Sequence, residues 1–165
     1  MRIFGFAGWS GSGKTTLIEQ LIPRLVAGGA RVSLIKHAHH KFDIDQPGKD
    51  SYRHRHAGAH EVLVASDTRW ALIHELRGTP EPTLEDLVAK LAPCDLLLVE
   101  GFKRHPVPKM EVYRQANAKP RLHLDDPHIV AIATDTPMAS PLPQFALDDY
   151  DAINRFILHY TGIRS

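Results

Sequence analysis

Gly8-Trp9-Ser10-Gly11-Ser12-Gly13-Lys14-Thr15 fits the P-loop pattern G-x-x-x-x-G-K-[ST] without a mismatch. The apolar run Ile3-Phe4-Gly5-Phe6-Ala7 leads into it as a buried strand. Thr15-Thr16-Leu17-Ile18-Glu19-Gln20-Leu21-Ile22 leads out with its apolar residues at helical spacing. In the order strand, glycine loop, helix, successive backbone N–H groups and the positive end of the helix dipole converge on one concavity that suits a polyphosphate. Gly8, Gly11 and Gly13 allow the sharp turn and the close approach of backbone to phosphate. Lys14 reaches the β- and γ-phosphates, and Thr15 offers its hydroxyl to Mg²⁺. The expected ligand is a nucleoside triphosphate with magnesium.

The rest of the chain is read around that loop. Gly28-Gly29 ends the first helix, and Ala30-Arg31-Val32-Ser33-Leu34-Ile35-Lys36 follows as a second strand, completing a βαβ unit whose strands run parallel. Pro23 falls inside that helix and removes one backbone bond, so a kink is expected there. A polar loop covers 37–50, and a short helix follows over 51–57. Strands over 61–65 and 70–76, joined by Ser66-Asp67-Thr68-Arg69, are expected to pair antiparallel. Thr83 with Asp86 resembles a capping pair opening a helix over 83–91.

Leu96-Leu97-Leu98-Val99-Glu100-Gly101 reads as a central parallel strand that delivers a carboxylate beside the P-loop, a Walker B strand with Glu100 facing magnesium or its water. Short strands over 110–113 and 129–133 and a closing helix over 148–160 complete the pattern. The expected architecture is a three-layer α/β P-loop NTPase fold in one domain, residues 1–165. A mostly parallel sheet is flanked by helices and carries an antiparallel strand extension.

Twenty Lys and Arg against nineteen Asp and Glu give a formal charge of +1, which argues against a global attraction to nucleic acid or to an anionic membrane. The longest clean apolar run is only Leu96 to Val99, too short to cross a bilayer. The lone Cys94 has no partner for an internal disulfide, and the N-terminus enters a strand directly, so a soluble cytoplasmic protein is expected.

Several segments leave alternatives open. His37-Ala38-His39-His40, with Asp43 and Asp45 behind it, lacks zinc-site spacing and reads as a nucleotide or substrate loop in which Asp45 contacts magnesium through water. The stretch from Gly48 to His56 suits either phosphate recognition or an exposed helix face. Lys103-Arg104-His105 suits a second phosphorylated ligand. No N-K-x-D guanine motif occurs. Asp135, after the strand Ala131-Ile132-Ala133, is either a guanine-reading carboxylate or a turn aspartate before Pro137.

The P-loop together with Ile35-Lys36-His37, His39-His40, Asp45-Gln46-Pro47-Gly48-Lys49-Asp50-Ser51, Ala57-Gly58-Ala59 and Val99-Glu100-Gly101-Phe102-Lys103 resembles the molybdopterin-guanine dinucleotide biosynthesis adaptor family, MobB. The resemblance runs in order across roughly the first hundred residues. It implies a homodimeric GTP-binding protein of P-loop fold with weak GTPase activity. Such a protein would assist the guanylyltransferase MobA and other molybdenum cofactor proteins in joining GMP to molybdopterin. Carried over by position, it assigns phosphate binding to Gly11, Ser12, Gly13, Lys14, Thr15 and Thr16, and the Walker B acid to Glu100. Asp45 and Asp50 fall in a second family motif. The alternatives are a small-molecule kinase clamping its acceptor with Arg53, Arg55, Lys103 and Arg104, and a binding module for which nucleotide is only a structural ligand.

Overall fold

The computed structural model describes residues 1–38 and 42–163. They gather into two compact units, Met1–His37 with Leu87–Ser165, and Ala38–Asp86.

The first unit is built on a six-stranded sheet in which β1 (Arg2–Ala7), β2 (Val32–Lys36), β5 (Leu96–Glu100), β6 (Lys109–Tyr113), β7 (Ile129–Thr134) and β8 (Gln144–Ala146) lie in the order β2-β5-β1-β6-β7-β8. Every pairing in it is parallel. This is the mostly parallel sheet with flanking helices that the P-loop implied. The β5 run is buried at every position, as a strand covered on both faces must be.

Helix α1 (Lys14–Ala27) packs against α4 (Tyr150–Thr161) and β2, and α4 packs against β1. The core joins Phe4 and Phe6 of β1, Leu17, Leu21 and Leu25 of α1, Leu96 and Leu98 of β5, and Ile153 and Ile157 of α4. Those α1 positions lie four apart, on one helical face. The helix runs on through Pro23 to Ala27. Asp149 caps α4 by accepting the Ala152 N–H at 3.1 Å, and Gly162 closes it in the left-handed conformation at φ 69°.

The second unit contains α2 (Asp50–His56) and the antiparallel pair β3 (Glu61–Ala65) and β4 (Trp70–His74), which form a separate two-stranded sheet. The Arg55 guanidinium organises this unit. It donates to both oxygens of Asp43 at 2.7 Å and to Glu75 at 2.7 Å. These hydrogen bonds hold the Asp43 and Glu75 carboxyls below their usual range. Arg77, at φ 44°, donates to the Arg55 and Ala59 carbonyls at 2.9 Å. Thr83 and Asp86 exchange the expected capping bonds, but the helix they open, α3, spans only Leu84–Val88. Among the described residues no helix is long and apolar enough to cross a membrane.

Candidate functional site

The P-loop turn depends on backbone that only glycine tolerates. Gly11 and Gly13 are left-handed at φ 79° and 98°, and Gly13 caps α1. At Gly8 the constraint is contact: a Cβ there would lie 2.5 Å from the Val112 carbonyl oxygen and 2.7 Å from Ser12 Oγ. Ser12 is buried within the loop.

Lys14 opens α1, and its Nζ donates to the carbonyls of Gly8 at 3.0 Å and Trp9 at 2.9 Å. Thr15 Oγ1 donates to Glu100 Oε1 at 3.0 Å. The register sets Phe6 of β1 beside Glu100 of β5, so the Glu100 carboxylate emerges next to the strand that enters the P-loop. The pair expected to serve magnesium from 85 residues apart is therefore brought together. A hydroxyl and a carboxylate oxygen are hard donors that fit Mg²⁺, which takes one or two protein oxygens and keeps its remaining contacts for phosphate and water.

The electrostatics favour an anion. Burial holds the Lys14 ammonium below its usual pKa; Glu100 opposes this, while Lys103 and Lys36 add repulsion. Burial also lowers Lys103, whose Nζ sits 4.0 Å from the centre of the Trp9 ring in a cation–π contact. The Trp9 indole N–H is held by the Pro120 carbonyl at 2.8 Å, so the loop residue that carries Lys103 is itself fixed.

Two features anchor the turn after β5. Gly101, at φ 95°, lies where a Cβ would come within 2.9 Å of His37 Cβ, and the Glu100 carbonyl accepts the His37 N–H at 2.8 Å. Gly101→Ala is expected to lower stability by about 1–2 kcal/mol from the left-handed backbone alone, with the contact adding to it, as urea unfolding would measure. Beyond this turn, the buried Lys109 ammonium donates to the carbonyls of Lys103 at 3.2 Å and His105 at 2.6 Å, and to Asp126 at 2.8 Å.

A cleft of about 390 Å³ starts at Gly13 and Thr16 and continues past Arg114, Thr134, Asp135 and Tyr150. Asp135 accepts the Gln115 N–H at 2.9 Å and lies 3.9 Å from Arg114 Nη1. Sequence reading did not single out Arg114, which follows β6, or Lys36, which ends β2. Lys36 lies in the segment Ile35-Lys36-His37 but was given no role there, Arg114 lies in no such segment, and strand register places both at the strand ends beside the loop.

Asp45 belongs to the second unit, where its carboxylate accepts the Ser51 hydroxyl at 2.6 Å and lies 3.6 Å from Arg55 Nε. Its described partners are thus protein groups. Arg55 is likewise spent on carboxylates, and Asp50 pairs with Arg53 at 3.8 Å on an exposed helix face. His39 and His40 of the histidine cluster lie outside the described residues.

The chain is similar to the molybdopterin-guanine dinucleotide biosynthesis adapter protein of Haemophilus influenzae, at 42% identity over 98% of this chain and 93% of that protein. It is similar to the Escherichia coli adapter protein of the same name at 41% identity over 96% and 92%. The crystal structure of Bacillus subtilis MobB superposes with a TM-score of 0.79 at 25% identity, covering 98% of both chains. The model of the family described as MobB, molybdopterin guanine dinucleotide synthesis protein B, matches residues 3–135, which takes in the P-loop, Glu100 and Asp135, and the chain belongs to that family.

Proposed function

We propose that the protein is an adapter in molybdopterin-guanine dinucleotide biosynthesis that binds Mg-GTP, hydrolyses it slowly, and assists the guanylyltransferase MobA in attaching GMP to molybdopterin. The observation that carries the nucleotide reading is the convergence of Thr15, Glu100 and Lys14 at the mouth of the glycine turn. Thr15 and Glu100 would hold the magnesium, which when bound neutralises charge on the phosphate tail. Lys14 pairs with the phosphates, and the backbone amides of Gly11, Ser12, Gly13, Lys14, Thr15 and Thr16 receive their oxygens. Asp135 in the adjoining cleft suits the guanine N1–H and N2–H₂ donors, and the sharing of that cleft with Gly13 and Thr16 supports a base lying on that side. The adapter role is supported by the two bacterial relatives of that name, each matched across nearly its full length.

A homodimer is supported by the second unit. Leu63, Val64, Trp70 and Leu72 of its hairpin are exposed, and an isolated two-stranded sheet is marginal in water without a covering surface.

Calorimetric titration with GTP and with ATP in magnesium tests the nucleotide assignment. GTP is expected to bind at least about tenfold tighter, equivalent to about 1.4 kcal/mol of base discrimination. Asp135→Ala is expected to remove most of that difference while retaining triphosphate binding. Equal affinities in the wild-type protein would exclude the guanine assignment, and retention of neither nucleotide at millimolar concentration would exclude the whole reading.

A further inference from the structure

Lys36 is the last residue of β2, and the register pairs it directly with Glu100 of β5. Neighbours across a parallel sheet project from the same face, so the Lys36 ammonium and the Glu100 carboxylate leave the carboxyl ends of adjacent strands on one side, toward the start of α1. The Lys36 Nζ lies 3.4 Å from Glu100 Oε2 and 3.5 Å from Thr15 Oγ1. It therefore bridges the two oxygens assigned to magnesium.

The backbone beneath Lys36 is fixed far more tightly than its head. The short bond from the following His37 N–H to the Glu100 carbonyl, and the close approach allowed by Gly101, lock the strand end. The ammonium, by contrast, is at the outer limit of hydrogen-bond distance and its side chain is 53% exposed. A long, flexible stem on a rigid base can exchange partners without moving the strand.

Charge gives the direction of that exchange. Lys14 and Lys36 share the Glu100 carboxylate, and both Lys36 and Lys103 repel Lys14. A cation that takes over Glu100 and Thr15 releases Lys36 into this positive cluster, where the stable partner is an anion. Hydrolysis spreads charge over the terminal phosphoryl oxygens, which is where an additional fixed cation acts.

We propose that Lys36 is a second phosphate-binding lysine of this site, pairing with the terminal phosphate of a nucleoside triphosphate and so discriminating triphosphate from diphosphate. This rests on the nucleotide-binding reading and adds a residue to it. A lysine that only steadies Glu100 would instead affect both nucleotides alike.

The test is calorimetric titration of the purified protein and of Lys36→Met with GTP and with GDP in magnesium, after thermal unfolding has shown the variant folded. GTP affinity is expected to fall about tenfold or more, the loss of one charge-assisted contact, while GDP affinity changes less than about twofold. Lys36→Arg, which keeps the charge, is expected to restore most of the preference for GTP. Should Lys36→Met fail to fold, Lys36→Gln retains a polar head for Thr15 and Glu100 and carries the same comparison. Equal weakening of GTP and GDP, or no change in either, overturns the assignment of Lys36 while wild-type GTP binding keeps the nucleotide reading intact. A wild-type protein that binds neither nucleotide overturns both.

Discussion

A Lys14→Ala variant is expected to bind GTP about a hundredfold more weakly than the wild-type protein, with its fold and thermal midpoint retained. The Lys14 ammonium is half-buried against the loop it serves, donating to the Gly8 and Trp9 carbonyls, and its charge is disfavoured there by burial and by Lys103 and Lys36. A site that holds a cation against such costs recovers them when a polyanion arrives. The transfer of Lys14 from neutral carbonyls to phosphate oxygens is then a gain of strong charge-assisted bonds. Removing it forfeits roughly 2–3 kcal/mol, the range for hydrogen bonds to charged groups, which corresponds to about two decades in Kd. The side chain spans the loop without filling the core, so truncation leaves no apolar cavity to destabilise the sheet. Titration calorimetry in magnesium, paired with a melting curve, checks both halves. Unaltered GTP affinity would mean that the glycine turn is not where the triphosphate binds.

Lys109→Met is expected to cost about 3–5 kcal/mol of stability, the usual consequence of removing one member of a buried ion pair. Lys109 is 1% exposed, yet all three of its contacts are strong acceptors: Asp126 and the carbonyls of Lys103 and His105. Methionine preserves the volume but withdraws the ammonium from all three acceptors, leaving Asp126 with the His128 N–H and the His105 carbonyl with the Val107 N–H, and the turn after Glu100 loses its clasp. Because this turn carries Lys103 and follows the Walker B carboxylate, magnesium-dependent nucleotide affinity is expected to weaken alongside stability.

The pH dependence separates this mechanism from simple packing. Burial by itself raises the Asp126 pKa, but the hydrogen bonds from Lys109 and the His128 N–H, with the charges beside them, bring it below the ordinary carboxylate value. A carboxyl depressed on folding stabilises the protein above its unfolded pKa of about 3.9, and that contribution is lost as pH falls through the lower folded value. In Lys109→Met the lowering by Lys109 is lost while that by His128 remains, so the depression shrinks and Asp126 protonates at higher pH. Acid sensitivity of the wild-type protein below about pH 4 should therefore be blunted in the variant, as urea titrations at several pH values would reveal. An unchanged pH profile would mean that the Lys109–Asp126 pair contributes nothing to stability.

Most of the elements were legible where hydrophobic period and punctuation agree. The buried run ending at Glu100 is β5 as read, and the β3 bounds match the expected 61–65. The antiparallel pair follows from two short apolar runs separated by a turn-like spacer. β8 was not legible: three residues hemmed by prolines on the preceding side have no period to read. The 83–91 helix shortened to Leu84–Val88 although its capping pair is present, because a good start does not set a length. Lys109 and Glu111 show a different limit. The strand was expected to begin only at Met110, yet both charged residues of β6 are buried. Their burial is tolerable only through partners outside the strand: Asp126 and the Lys103 and His105 carbonyls meet Lys109, while the Leu122 and His123 N–H groups donate to Glu111 at 2.7 and 3.0 Å.

By itself the sequence determined the glycine turn, because G-S-G-K-T encodes local backbone geometry and a helix start within eight residues, and local geometry needs no distant partner. It also determined the strand and acid of β5, since a buried parallel strand announces itself as an unbroken apolar run. Which side chains meet at that turn was decided only by the tertiary structure. The order β2-β5-β1 and its register carry Lys36 to Glu100, and Glu100 to Thr15, across 64 and 85 residues of chain. The packing of the 115–124 segment likewise brings Pro120 to Trp9, and the β6–β7 register, which pairs Tyr113 with Thr134, sets Asp135 beside Arg114. Register and long-range packing are collective properties of the folded sheet, and no window of residues contains them.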